Sequence, residues 1–284
     1  MDSHRPGVPF AWTGDERGEL PVRGVTHGVS AGVAYVAAGT YVWHLTLPIL
    51  ATGTAVCVGA GVLDDLDQRG SCVARSFGWV TEGLASVVHR ISGGHREGTH
   101  EAVGNLICAG IAVLAIALEG WHPLRLHLGG YVWRPSAGRW LLGAYLALLF
   151  AAGMKALAGI KTLRRVPVVR VIRRDHYREA LAIGAAAAMV FFSWDTGGIA
   201  WAILLGTVVH CAGDSFTKDG DPWLAPFTRH RFHLLPKPLQ FTTGTWPETV
   251  VIFPALVLAL GVLAFHVVAP GIEQSVWATA THAI

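Results

Sequence analysis

Seven apolar runs separated by charged loops constrain this chain more than any motif it carries: about 26–42, 45–63, 101–119, 139–158, 179–194, 197–213 and 249–268. Most approach the ~17–25 residues a helix needs to cross hydrocarbon. Backbone in lipid has to satisfy its own hydrogen bonds, which a helix does within one segment. Only 14% of the residues are charged and the mean hydropathy is +0.45, against roughly 25% charged in soluble domains. The pattern excludes a soluble globular enzyme. It predicts an all-α fold, a polytopic membrane helix bundle with about seven spans, or six if one of the short first and fifth runs does not cross.

Loop charge orients the bundle. All but four of the 22 Lys and Arg lie in the N-terminal tail or in the loops 64–100, 159–178 and 214–247; the exceptions are Arg125, Arg134, Arg139 and Lys155. The positive-inside rule puts the heavily basic side in the cytoplasm. The expected organisation is a flexible cytoplasmic tail over 1–25, one transmembrane domain over 26–270 and a short C-terminal tail over 271–284. No secretory signal is expected, since residues 1–25 contain no apolar core. The basic run Lys161 to Arg178 would suit anionic lipid or nucleic acid, but topogenic charge accounts for it, so no specific nucleic-acid binding is expected. The bilayer is the implied partner, and no protein partner is indicated. Residues 73–90 alternate at helical spacing, as an interfacial helix would. The four cysteines lack C-x-x-C spacing and read as packing residues.

Candidate metal ligands then fall at one side of the membrane. His27 opens the first run, Asp64-Asp65-Leu66-Asp67 closes the second, His95 and His100 lead into the third, His210 and Asp214 end the sixth, and Glu248 opens the seventh. Residues four apart share a helix face, so His210 and Asp214 can converge on one cation. His95 and His100 are five apart and cannot share a face on a continuous helix, but the glycines at 93, 94 and 98 permit a turn that folds one beside the other. Thr99 and Thr26 read as N-caps. Asp65 and Asp67 would both be aimed inward by a loop, and Glu248 doubles as a first-turn acid favoured by the helix dipole. A His and carboxylate set without Cys suits zinc, with manganese or iron as alternatives, and supplies donors for one or two ions. The expected metal set is His27, Asp65, Asp67, His95, His100, His210, Asp214 and Glu248. An unligated carboxylate among Asp65, Asp67 and Glu248 would act as general base, and Arg96 and Arg231 would hold a substrate phosphate.

The same pieces resemble the YdjM-like family of bacterial inner-membrane metal-dependent hydrolases. They stand here as Thr26-His27, Asp65-Leu66-Asp67, His95-Arg96-Glu97-Gly98-Thr99-His100 and His210-Cys211-Ala212-Gly213-Asp214, followed by Thr217, Gly220, Pro226-Phe227 and Arg231-Phe232, over about 26–250. Departures are Asp64 in place of Pro, Gln68 in place of His, Glu97 in place of Gly and Glu101 in place of Ser. The resemblance implies a hydrolase of phosphoester or phospholipid-type substrates in the bacterial inner membrane, its site facing the cytoplasm. Two other readings compete. A metal-independent phosphatidic-acid-phosphatase-like enzyme would use Ser92-Gly93-Gly94-His95 and His210-x-x-x-Asp214, but lacks an Arg six residues before that His, where Leu204 stands. A non-catalytic transporter or scaffold with a structural metal site is the third.

Overall fold

The computed structural model describes residues 23–128, 131–160, 163, 165–191 and 198–281, so most of the expected N-terminal tail lies outside the described residues. Each apolar run is a helix: α1 Arg23–Tyr41, α2 Leu47–Ala60, α4 Ala102–Ala117, α5 Ala137–Ala158, α7 Asp175–Phe191, α8 Ile199–Asp214 and α9 Phe253–Thr281. The expected interfacial helix is α3, Trp79–Ser92, ended by Gly93 in the left-handed conformation at φ 89°. A short α6, Pro167–Ile172, precedes α7. Between α4 and α5 a two-stranded antiparallel hairpin, β1 Leu126–Leu128 with β2 Tyr131–Trp133, occupies a loop that carried no strand expectation.

Among the described residues, three helical segments are long and apolar enough to cross a membrane, Leu47–Asp67, Ala137–Ala158 and Pro247–Ala269, and α4 and α8 are shorter apolar helices. Several boundaries differ from expectation, among them the start of α3, at Trp79 rather than 73, and of α7, at Asp175 rather than 179. The last run, expected over 249–268, stays helical to Thr281 and reaches into the segment assigned to a tail; Pro270 and Gly271 do not break it. At its start, Pro247–Ile252 is a π-helical turn rather than an α-helical first turn.

The core lies where α1, α2, α5 and α8 pack around Val56, Cys57, Leu146, Leu149 and Ile203, all fully buried. Small residues set the spacing. A Cβ at Gly59 would lie 2.2 Å from the Leu149 carbonyl oxygen, and one at Gly206 would lie 2.6 Å from both the Ala60 Cβ and the Cys57 carbonyl oxygen. Such contacts require glycine, the usual device by which helices approach closely inside a membrane. α9 is different in kind. It packs against α1 and leaves Val257, Leu258, Val262 and Phe265 exposed, the surface a lipid-facing helix needs.

Candidate metal centre

The site forms where the end of α2, the turn before α4, the end of α8 and the start of α1 meet. After α2 the chain makes a 3-10 turn over Asp64–Asp67. At three residues per turn, Asp64 and Asp67 share one side and Asp65 faces another. Asp65 accordingly turns to His210, its Oδ1 3.9 Å from His210 Nε2, while Asp67, on the other side and fully buried, meets His95 and His100. Both carboxylates meet imidazoles of the site, on different rings, and a 3-10 turn rather than a loop presents them.

Asp67 is saturated by the turn before α4. Its Oδ1 accepts from His95 Nδ1 at 2.9 Å, and its Oδ2 from the Arg96 backbone N–H at 3.1 Å and the Thr99 hydroxyl at 2.7 Å. The Asp67 carbonyl oxygen also meets His89 Nδ1 at 2.8 Å, giving a structural task to a histidine without a convergent partner at ligand spacing. Thr99 is therefore not the N-cap of α4; Glu101 holds that position, without a side-chain capping bond. Nor is Thr26 a cap, since α1 begins three residues earlier. The His95–Gly98 turn does bring the two imidazoles together, 5.4 Å between ring centroids and perpendicular. Arg96, within that turn, adopts φ 59°, a backbone state uncommon outside glycine and often found at functional sites.

Four further side chains complete the cluster. His27 stacks on His210 with 4.0 Å between centroids, and its Nε2 lies 3.4 Å from Asp214 Oδ1. A Cβ at Gly213 would fall 2.9 Å from the His27 ring, so the glycine of H-C-A-G-D is what lets that ring lie against α8. His210 Nδ1 is 2.8 Å from the Gly61 carbonyl oxygen, which accepts only from a protonated Nδ1 and thereby leaves the Nε2 lone pair free. His100 is oriented in the same manner by Thr99 and Asp67 on its Nδ1 side. Both Nε2 atoms are buried and make no hydrogen bond among the described residues, and each lies 3.8 Å from Asp214 Oδ2. Two sets, His27, His210, Asp214 and Asp65, His100, His210, each bring their donor atoms within 4.8 Å of one another.

This arrangement fits a cation. Tetrahedral bonds of 2.0–2.1 Å place donor atoms about 3.4 Å apart, near the observed 3.4–3.9 Å. A ring held through one nitrogen by a carbonyl or carboxylate, with the other nitrogen bare, is the usual state of a metal-ligating histidine. Charge points the same way. Burial by itself disfavours an imidazolium at His100, yet Asp67, Asp221 and Asp64 raise its pKa to about 10. Among the described residues, Arg96 is the fixed positive charge paired with the cluster, its guanidinium 2.9 Å from Asp214 and 3.5 Å from Asp219.

Other expected residues fall outside the cluster. His95 belongs to neither donor set, being bound to Asp67, though it lines the polar cavity of about 180 Å³ that His27, Asp65, Arg96 and Asp214 share. Arg231 does not reach that cavity; it meets Glu97 at 3.7 Å and the Asp219 carbonyl oxygen. Glu248 lines a neighbouring apolar cavity, with Oε2 accepting from the Gly244 backbone N–H at 2.6 Å. Asp221 escaped the sequence reading. It is fully buried with neither oxygen hydrogen-bonded among the described residues, and burial pushes its carboxyl up to about 7. Its place between a positive-φ glycine, Gly220, and Pro222 was the available signal, an acid held on a tight turn. Asn105 and Cys211 were also missed as polar groups; the Cys211 thiol donates to Asp64 Oδ2 at 3.6 Å and contacts the Asn105 amide.

Residues 179–274 match the family model described as YdjM inner membrane protein. The match takes in α8, His210, Asp214, Arg231 and Glu248, while His27, Asp65 and His100 lie before it and join the site through folding. No curated protein and no solved structure matches the chain.

Proposed function

We propose that the chain is a metal-dependent hydrolase of phosphoester or phospholipid-type substrates in the bacterial inner membrane, crossing it seven times, with the site at the cytoplasmic face. The observation that carries the proposal is the pair of bare, buried Nε2 atoms of His100 and His210 facing Asp214. The match to an inner-membrane family and the three apolar spans support the location, and the basic loops on the side of the site support the orientation. His27, His100, His210 and Asp214 would hold one ion, with Asp65 beside them left unligated, zinc first by donor type with manganese or iron as alternatives. One ion suffices for these donors, because the two sets share the single free nitrogen of His210. Such an ion lowers the pKa of water and stabilises charge on a phosphoryl oxygen.

The remaining tasks belong to the chain. Arg96 opens onto the polar cavity and would orient the phosphate. Asp65 lines the same cavity and is the best-placed base, since Asp67 is fully engaged and Glu248 faces elsewhere. In the reaction a water oxygen would bond to phosphorus as its proton passes to Asp65, the ester P–O bond would break, and the departing alkoxide would take that proton back from Asp65. Asp67 acts through His95, Thr99 and His100 as a positioning residue. The metal-independent alternative draws no support from Ser92, whose hydroxyl donates to the carbonyls of His89 and Gly94.

Metal analysis of the detergent-purified full chain, with turnover of phosphodiester and phospholipid substrates before and after chelation, tests the proposal. It expects about one zinc per chain and activity lost on chelation and restored by zinc. Unchanged metal content in both His210→Ala and Asp214→Ala would overturn it.

A further inference from the structure

A second cavity, about 190 Å³, lies between α1, α8 and α9 and abuts the polar cavity at His27 and Thr243, which line both. Its walls are mostly apolar, formed by Val209, Phe216, Phe241, Ile252 and Leu256, with Thr26, Ser30, Thr217, Thr243 and Glu248 also lining it. There the Thr26 Oγ1, Thr243 Oγ1 and Glu248 Oε1 atoms are buried and have no hydrogen-bond partner among the described residues, and Glu248 as a whole is 1% exposed. Three such atoms on residues lining one small, mostly apolar chamber are costly unless something there hydrogen-bonds to them. The π-helical turn Pro247–Ile252 places Glu248 and Ile252 on the chamber, and such turns recur at functional sites. The opposite face of α9 is bare and apolar, so one helix separates the chamber from surrounding lipid.

We propose that this chamber binds the hydrocarbon end of an amphiphilic phosphoester from the bilayer, with Glu248, Thr26 and Thr243 holding a hydroxyl on the segment between chain and phosphate. The phosphate then lies past His27, beside Arg96. Glu248 is a substrate-binding carboxylate and leaves the metal set. An apolar cavity of about 150 Å³ accommodates benzene, so this chamber takes on the order of six to eight carbons, and the rest of a longer chain extends toward lipid. The inference rests on the hydrolase reading for its kinetic test and is independent of that reading for its binding test.

For the kinetic test, zinc-loaded full-length protein in nanodiscs is given p-nitrophenyl alkyl phosphates with methyl, butyl, octyl and dodecyl chains. kcat/KM should rise about three- to fourfold per methylene and level off near octyl. Leu256→Trp should abolish that dependence, and Leu258→Trp, on the lipid face, should keep it. Glu248→Gln should cut the preference for chains bearing a hydroxyl two carbons from the phosphate by about tenfold. A flat chain-length profile in the wild type, or one that Leu256→Trp leaves intact, overturns the proposal. For the binding test, an octylphosphonate with a terminal diazirine is photolysed with the same protein. Label on Phe216, Ile252 or Leu256, competed by plain octylphosphonate, supports the chamber even if no ester is turned over, in which case the hydrolase reading alone fails. Label confined to Leu258, Val262 and Phe265 overturns it.

Discussion

The two ends of the bundle carry polar residues in different ways. At the end opposite the histidines, a cleft of about 750 Å³ is lined by Glu119, His122, Arg134 and Arg139. It is larger than the polar cavity at the histidine end, yet its central charges satisfy each other: Arg139 donates to Glu119 Oε1 through Nε at 3.0 Å and a terminal nitrogen at 2.7 Å, both residues about half exposed. At the histidine end the opening is four times smaller, and donor atoms remain bare although Asp64, Asp67, His100, His210 and Asp214 are buried. Size therefore does not identify a site here. Unmet coordination at depth does, because a fold bears that cost only where something binds.

The contrast yields a graded set of outcomes. The largest effect is expected from Asp214→Ala, which should remove bound zinc and lower turnover by more than about a hundredfold, beyond the 10–100-fold typical of an outer partner; elemental analysis and rates on one preparation check this. Asp67→Asn should weaken zinc affinity by about 10–100-fold while leaving the site loadable at high metal, because it disturbs the orientation of His100 without removing a donor; a competition titration against a zinc chelator measures it. The same titration should show affinity rising about tenfold per pH unit between pH 6 and 8. The sign follows from His100: its raised pKa keeps it protonated without metal in this window, zinc needs the neutral ring, and binding releases one proton. A pH-independent affinity would separate His100 from the metal. Gly206→Ala should destabilise the bundle by about 1–3 kcal/mol through overpacking against Ala60 and Cys57, read from thermal unfolding in detergent. Smallest of all, Arg139→Ala should leave zinc content unchanged and cost about 0–1 kcal/mol, as for other exposed ion pairs. A loss of zinc there would erase the distinction between the ends.

Periodicity made the helices legible and left the turns obscure. Every apolar run became a helix, because twenty residues of hydropathy integrate a strong signal, and α3 was visible from its alternation. The hairpin at 126–133 was not, since its three-residue strands are too short for a pattern to accumulate. Within the site, His210 and Asp214 were legible because helix geometry alone pairs residues four apart. His27 could be placed only by its position at a helix end, having no neighbour at ligand spacing and meeting its partners only through the α1 and α8 contact. The placement of Asp65 against Asp67 depended on whether 64–67 is a loop or a 3-10 turn, a choice that four residues cannot announce. Asp221 and Glu248 take their positions from Gly220 and from the π-helical turn, local irregularities that no average over residues detects.

The bond from His210 to the Gly61 carbonyl crosses between α2 and α8 at the level where the α2 and α8 backbones nearly touch. An imidazole seated this way is presented correctly only after both helices have inserted and docked, and the His27 ring arrives only with α1. On the proposed reading, zinc uptake is then a late event of membrane assembly, and chelator-resistant zinc per chain would serve as a gauge of how much of a purified sample reached its finished form.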